Sequence, residues 1–107
     1  MVIERFEVWL VSLDPTQGSE IAKTRPCVVV SPDVVNKMLN TVMIAPLTST
    51  QKAYPTRVNC QFLGQNGQVA LDQTRAIDKS RLLKRVGKLD ELTNFQISQT
   101  LVALFTF

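Results

Sequence analysis

Phe6-Glu7-Val8-Trp9-Leu10-Val11-Ser12-Leu13 has apolar residues on both of its phases, Phe6, Val8 and Leu10 on one and Trp9, Val11 and Leu13 on the other. Successive side chains of a strand point to opposite faces, so a segment with no polar phase predicts a strand covered on both sides. Outward from it, Asp14-Pro15-Thr16-Gln17-Gly18-Ser19 is a turn-rich loop. Residues 26–31, with Cys27-Val28-Val29-Val30 at their centre, predict a second strand closed by Pro32-Asp33, and 33–40 a short helix. Residues 41–47 predict a third strand, followed by the polar loop Thr48-Ser49-Thr50-Gln51-Lys52. In 56–62, Val58, Cys60 and Phe62 alternate with Arg57, Asn59 and Gln61, the pattern of a strand with one wet face.

Gly64-Gln65-Asn66-Gly67 reads as a turn into a strand over 68–76, and 78–82 as a single helical turn capped by Asp78. A last short strand is expected over 85–88. The C-terminal stretch is a helix, capped by Asp90 with Glu91 in its first turn and with Leu92, Phe95, Ile97, Leu101, Leu104 and Phe105 at helical spacings. Five to seven short strands and one terminal helix predict a mainly β fold, a small barrel or half-barrel with the helix packed on it. Such a barrel has little interior volume, so a site belongs on loops at its mouth or on a dimer surface.

The bulk properties agree with that frame. A chain of 107 residues corresponds to one domain, 1–107, and 45% hydrophobic with 20% charged residues is an ordinary globular composition. Glu4, Arg5 and Glu7 interrupt the N-terminus where a secretory signal needs an apolar run, and nothing approaches the ~20 apolar residues of a membrane span. A soluble cytoplasmic protein is therefore expected. Cys27 and Cys60 lie in apolar-patterned segments with no third ligand nearby, and are expected to be buried free thiols. Twelve basic against nine acidic residues give a net charge of +3, compatible with a polyanionic partner without requiring one.

The chain contains no histidine, which excludes histidine triads, histidine metal sites and histidine acid–base pairs. No glycine-rich phosphate cradle occurs. No metal or cofactor is expected. Phe6, Trp9, Phe62, Phe95 and Phe105 fall on apolar phases and read as core residues. The polar residues gather in three clusters at strand ends, residues 17–26, 47–52 and 71–81, where loops distant in sequence can assemble one site. On residues alone Arg25 reads equally as a solvated strand-end charge, and Thr48 as a strand terminator. Asp72, Arg75, Asp78 and Arg81 read as a structural ion-pair set, because alternating opposite charges in a short segment satisfy one another.

Taken together, three signatures in order and in register resemble the MazF/PemK-like toxins over nearly the whole chain. They are Gly18-Ser19-Glu20 followed by Arg25-Pro26 and Val28-Val29-Val30, then Pro46-Leu47-Thr48, then residues 71–82 beginning Leu71-Asp72-Gln73-Thr74-Arg75. The resemblance implies an SH3-like barrel with a C-terminal helix, a homodimer, and sequence-selective, metal-independent cleavage of single-stranded RNA to 2′,3′-cyclic phosphate and 5′-hydroxyl ends. It also implies a cognate antitoxin whose acidic, disordered tail fits the same basic groove. Arg25 and Thr48 match the family's catalytic pair, the loop over residues 16–24 matches the segment covering the RNA path, and Gln73 matches a substrate-touching glutamine. Lys23 and Thr24 stand where small residues are frequent, Pro32 where a polar residue contacts RNA in some relatives, and Thr74 where an aliphatic residue is usual. A same-fold toxin family that binds DNA gyrase is the rival reading; it relies on an aromatic-glycine-aliphatic C-terminus, whereas this chain ends Leu104-Phe105-Thr106-Phe107.

Arginine's planar, permanently charged fork suits a phosphorane oxyanion, and Thr48 can add one hydrogen bond to the same phosphate or hold the 2′-hydroxyl in line. Arginine is a poor base, so Glu20 or water is the expected acceptor of the 2′-proton. Gln17, Gly18, Ser19, Lys23, Thr24, Ser49, Lys52, Gln73 and Lys79 are the expected RNA contacts, the lysines as phosphate contacts that set affinity without reading sequence.

Overall fold

The structure, a computed structural model, describes residues 1–107. Its elements are β1 (Glu7–Ser12), β2 (Thr24–Val29), α1 (Asp33–Met38), β3 (Thr41–Thr48), β4 (Arg57–Phe62), β5 (Gln65–Ala70), a 3-10 turn at Leu71–Gln73, β6 (Arg75–Asp78), a second 3-10 turn at Lys79–Arg81, β7 (Leu82–Lys88) and α2 (Glu91–Phe105). The strands form one antiparallel curled sheet in the order β4-β5-β3-β2-β1-β7, with β6 also on β3.

β1 lies between β2 and β7, as its two apolar phases predict. Val8 faces one core with Val28, Ala45, Val69, Leu71 and Ile97, while Trp9 and Val11 face a second with Cys27, Val29, Ile44 and Ile77. β1, β2 and β3 thus send alternate residues into two cores on opposite faces of the sheet. Val8, Val11, Val28 and Val29 are fully buried, and each contributes about 1.5–3 kcal/mol by leaving water.

β3 is bordered twice on one edge. Thr41–Ile44 pair with β6, and Leu47 and Thr48 pair with β5. The chain makes this change of partner stretch through the 3-10 turn at Leu71–Gln73, which breaks the single strand expected over 68–76. The turn is held from a distance: Leu71 N–H donates to the Thr56 carbonyl, and the Arg57 guanidinium grips the Asp72 carboxylate through Nε at 2.7 Å and Nη2 at 3.2 Å. The expected turn at residues 64–67 also moves. Phe62 pairs with Gln65 across a two-residue turn, Leu63-Gly64, in which both φ angles are positive, 52° and 77°. That handedness matches the twist of the hairpin, and Gln65-Asn66-Gly67 become strand.

Asp72, Arg75, Asp78 and Arg81 do not satisfy one another as ion pairs. Asp72 pairs with Arg57, Arg75 donates to the Leu13 carbonyl, Arg81 donates to the carbonyls of Ser12 and Asp14, and Asp78 caps its turn by accepting from Ser80 N–H. The carbonyl partners exist because β1 runs past these residues on its way into the next loop. Arg57 holds the Asp72 carboxyl below the ordinary aspartate range, chiefly by hydrogen bonding. A depressed folded-state pKa contributes stability that is fully present above the unfolded value, about 3.9, and is lost as pH falls through the folded value. Asp72→Asn is accordingly expected to be less stable than the parent by a constant margin from pH 7 to about pH 5, the margin closing below about pH 4 in urea titrations. A margin unchanged at pH 3 would show that the ion pair does not stabilise the turn.

α2 starts as expected, with Asp90 accepting from Thr93 N–H. Its packing differs from expectation. Only Thr93 and Ile97 are buried and Leu101 is half-buried, whereas Leu92, Phe95, Val102, Leu104 and Phe105 are exposed. The sheet offers this helix the width of β4 and the 3-10 turn, which leaves most of its apolar residues without a partner. Trp9 is buried, with its indole N–H on the Glu7 carboxylate, and Phe6 and Phe62 are half-buried against the first core. Cys27 and Cys60 are buried free thiols, and burial pushes the Cys27 thiol up to about 12, so it stays protonated and inert. No helix is long and apolar enough to cross a membrane.

Candidate active site

β2 begins at Thr24, two residues earlier than expected, so Arg25 sits within the strand rather than just before it. It is opposite Val11 of β1. On the other edge, the β2–β3 register runs Val29↔Ile44, Val28↔Ala45, Cys27↔Pro46. Continued two residues, it sets Arg25 against Thr48, the last residue of β3. Both line one cleft of about 190 Å³, with Ser49 from the following loop, Phe62 from β4 and Gln65, Asn66 and Gly67 from β5.

The donors of the pair are aimed by their neighbours. Arg25 Nε–H donates to the Ala22 carbonyl at 2.9 Å, which fixes the guanidinium plane and leaves the Nη groups without a partner in the chain. Thr48 is buried, and its Oγ1 accepts from Thr50 N–H at 3.2 Å. That contact uses a lone pair of the hydroxyl and leaves its proton to donate into the cleft. Gly67 backs this residue so closely that a Cβ there would lie 2.9 Å from the Thr48 carbonyl oxygen. Gln68, opposite Thr48 in the ladder, clasps the next loop: its Oε1 accepts from Lys52 N–H and its Nε2 donates to the Lys52 carbonyl, both at 3.0 Å, with a further bond to Asn59 Oδ1. Ser49 lines the cleft, whereas Lys52 is exposed and not part of its lining.

Glu20 belongs to a neighbouring hollow of about 310 Å³ that it shares with Ser19, Ile21, Pro46 and Gln73. Its carboxylate accepts from Gln17 N–H at 2.5 Å and does not line the Arg25–Thr48 cleft. Gln73 is turned onto the loop backbone, with Ile21 N–H donating to its Oε1 at 3.1 Å and its Nε2 donating to the Ser19 carbonyl at 3.3 Å. Gln17, Gly18, Ser19, Lys23 and Thr24 are exposed along the same loop. Gly18 and Lys23 have φ of 56° and 70°, and Lys23 N–H is held by the Asp14 carboxylate. Lys79 is not part of this assembly. Its ammonium donates to the Asn36 carbonyl beside the Thr41 end of β3, about 23 Å along the strand from Thr48 at 3.3 Å per residue.

Phe62, Gln65, Asn66 and Gly67 line the cleft and Gln68 braces the loop beside it, placements that the sequence pattern does not reveal. Gln65-Asn66-Gly67 has the composition of a turn, which conceals a strand, although Gln68 beside the apolar run Val69-Ala70-Leu71 is the kind of buried polar residue that needs a partner. Asn66 and Gly67 also open onto a broad hollow of about 900 Å³ lined by the amides of Gln51, Asn59, Gln61 and Gln96. No three His, Cys, Asp or Glu side chains come together as a metal site. The cleft therefore offers a guanidinium fork and a hydroxyl donor facing one shared space, with neutral amides alongside and no carboxylate among its lining. That is an anion-stabilising arrangement.

A family profile described as PemK-like, MazF-like toxin of type II toxin-antitoxin system matches residues 4–105. The chain belongs to the PemK/MazF-like toxin family. Endoribonuclease PemK of Escherichia coli is 33% identical over 110 residues, spanning 97% of this chain and 83% of that protein. Among solved structures, MazF from Deinococcus radiodurans superposes with a TM-score of 0.87 at 26% identity, covering 100% of this chain and 99% of its own. An endoribonuclease from a mycobacterial species, solved in complex with its cognate antitoxin, shares the fold with a TM-score of 0.80 at 22% identity, over 94% of this chain and 92% of its own. The half-barrel with one C-terminal helix is thus the fold of the PemK/MazF toxins, and Arg25 and Thr48 occupy its cleft.

Proposed function

We propose that this PemK/MazF-type endoribonuclease cuts single-stranded RNA at selected sequences by using the RNA's own 2′-hydroxyl as nucleophile, without a metal or cofactor. The observation that carries the reading is the placing of Arg25 against Thr48 in one cleft, each with free donors. The 2′-oxygen attacks phosphorus and the P–O5′ bond breaks, leaving a 2′,3′-cyclic phosphate and a 5′-hydroxyl. Because the nucleophile is already tethered beside phosphorus, the protein's tasks are alignment and charge stabilisation. Arg25 meets the phosphorane oxyanion with its Nη pair and Thr48 adds one hydrogen bond. The 2′-proton passes to water rather than to Glu20, whose carboxylate is engaged at Gln17 in the neighbouring hollow, and the leaving 5′-oxygen takes its proton from water. Lys23 and Lys52 contact flanking phosphates.

The same cleft and lysines suit the acidic, disordered tail of a cognate antitoxin, which inhibits by covering the RNA path. Unchecked, the enzyme cuts messages in the cytoplasm and stops translation and growth. A second copy of the chain covers the apolar residues of α2, Leu92, Phe95, Val102 and Phe105, giving a homodimer. Sedimentation of the purified protein at twice the 12.0 kDa chain mass is the expected result, and a monomer throughout would remove the dimer.

Incubating the protein with a long RNA in the presence of a chelator, then mapping the new 5′ ends, tests the reaction. New 5′-hydroxyl ends recurring at one short sequence are expected. RNA that stays intact would end the nuclease reading, and 5′-phosphate ends would end the 2′-hydroxyl mechanism.

A further inference from the structure

The loop over residues 14–23 is anchored at its two ends by the body of the protein. Leu13 N–H donates to the Lys23 carbonyl, Lys23 N–H to the Asp14 carboxylate, and Arg75 and Arg81 hold the carbonyls of Leu13 and Asp14. The bonds within the loop, Glu20 N–H to the Gln17 carbonyl and Gln17 N–H to the Glu20 carboxylate, are local and tie it to nothing else. Its centre is held from outside by one side-chain amide, that of Gln73, which accepts from Ile21 N–H and donates to the Ser19 carbonyl, with Ile21 partly packed on the second core. Gln73 itself stands on a rigid base, the 3-10 turn fixed by the Arg57–Asp72 pair and by Thr74 Oγ1 on the Leu71 carbonyl. One residue beyond Ile21, the Ala22 carbonyl receives the Nε–H of Arg25.

We infer that Gln73 is a positioning residue for the cleavage reaction: by clasping Ser19 and Ile21 it holds the Ala22 carbonyl from the loop side, as the Asp14 carboxylate on Lys23 N–H holds the same peptide unit from the other, and through that carbonyl it sets the aim of the Arg25 guanidinium. The path is short and continuous, from the Gln73 amide to the Ile21 peptide, to the Ala22 carbonyl, to Arg25 Nε. With the clasp intact the Nη pair is presented to the cleft in one orientation. With it open, the loop's centre keeps only local bonds and the contact of Ile21, and the acceptor of Arg25 is steadied from one side alone, by Lys23 N–H of the same peptide unit on the Asp14 carboxylate. Misplacing a charge-stabilising group by about 1 Å costs up to about a hundredfold in rate, so the clasp acts on turnover. An RNA strand that bonds to the Gln73 amide has to share it with the loop or displace the loop, which couples substrate contact to the aim of Arg25.

The kinetic half of this inference rests on the nuclease reading, and the structural half does not. Amide hydrogen exchange on the RNA-free protein tests the clasp alone. In Gln73→Ala the Ile21 amide is expected to exchange at least about tenfold faster than in the parent, with the amides of Val28 and Val69 unchanged. Gln73→Glu, which keeps the acceptor for Ile21 but loses the donor to Ser19, is expected to fall between. Steady-state cleavage then tests the aim: kcat about tenfold lower in Gln73→Ala with KM within about threefold of the parent and an unchanged thermal midpoint. Exchange at Ile21 that stays within about twofold of the parent overturns the clasp. A tenfold rise in KM at unchanged kcat overturns the positioning role and leaves Gln73 a substrate contact. If neither parent nor variants cut RNA while Ile21 responds as expected, the nuclease reading fails and the clasp stands.

Discussion

Arg25→Ala is expected to lower the single-turnover rate of RNA cleavage by about a thousandfold while the protein remains folded. The magnitude follows from what the side chain supplies. Removing one preorganised donor from a developing oxyanion costs about a hundred- to a thousandfold, and Arg25 brings a full charge with two uncommitted Nη donors. The fold should tolerate the change, since Arg25 is half-buried at the start of β2 and the one hydrogen bond of its side chain is to the Ala22 carbonyl. Arg25→Lys separates charge from geometry. Lysine keeps the charge but has neither the fork nor the Nε–H that fixes the plane, so a loss of about ten- to a hundredfold is expected. Near-normal turnover in the lysine variant would contradict the bidentate role, and cuts persisting in the alanine variant would remove Arg25 from the site.

Gly67→Ala should damage stability and activity together. The new Cβ would stand 2.9 Å from the Thr48 carbonyl oxygen and 3.7 Å from its carbonyl carbon, so a backbone must move. Neither strand is free to yield, because Gly67 is paired with Cys60 on β4 while its neighbour Gln68 is paired with Thr48 on β3. Overpacking of this kind costs about 1–3 kcal/mol. The stiffer unfolded chain of the alanine variant returns at most about 1 kcal/mol, so the sign is destabilising. What moves is the backbone of a residue whose hydroxyl must meet a phosphate, so a loss of up to about a hundredfold in kcat is expected beyond the loss of stability. Urea unfolding and cleavage measured on the same preparation check both. Full activity with parental stability would mean that β5 can slide away from β3 without disturbing Thr48.

Much of the frame was legible in the residues because it depends on local alternation. The two apolar phases around Trp9 imply a strand covered on both faces, and β1 has a core on each. The caps at Asp78 and Asp90 were legible for the same reason, since each partner lies two or three residues away. The break at Leu71–Gln73 was not. It is imposed by Thr56 and Arg57, roughly fifteen positions earlier, and nothing in the period of 68–76 records them. The helical spacing of α2 marks an apolar face but not what covers it, so Phe95 and Phe105 read as core and lie exposed. At the site, the signatures point to Arg25 and Thr48, and the β2–β3 register, continued two residues beyond Cys27↔Pro46, sets them opposite one another in one cleft. The β5 wall of the cleft stayed hidden because Gln65-Asn66-Gly67 has turn chemistry, while the actual turn is Leu63-Gly64.

The two-sided burial of β1, β2 and β3 bears on how toxins of this shape can diversify. Inserting one residue in any of these strands would send every following side chain into the wrong core, so their lengths are tightly constrained. The segments over residues 14–23 and 49–52 carry no such constraint, since each is secured mainly at its ends or by a single glutamine amide. On the proposed reaction, new sequence preferences can therefore arise by altering the length and composition of these two segments wherever the Gln73 clasp and the Ala22 carbonyl are kept.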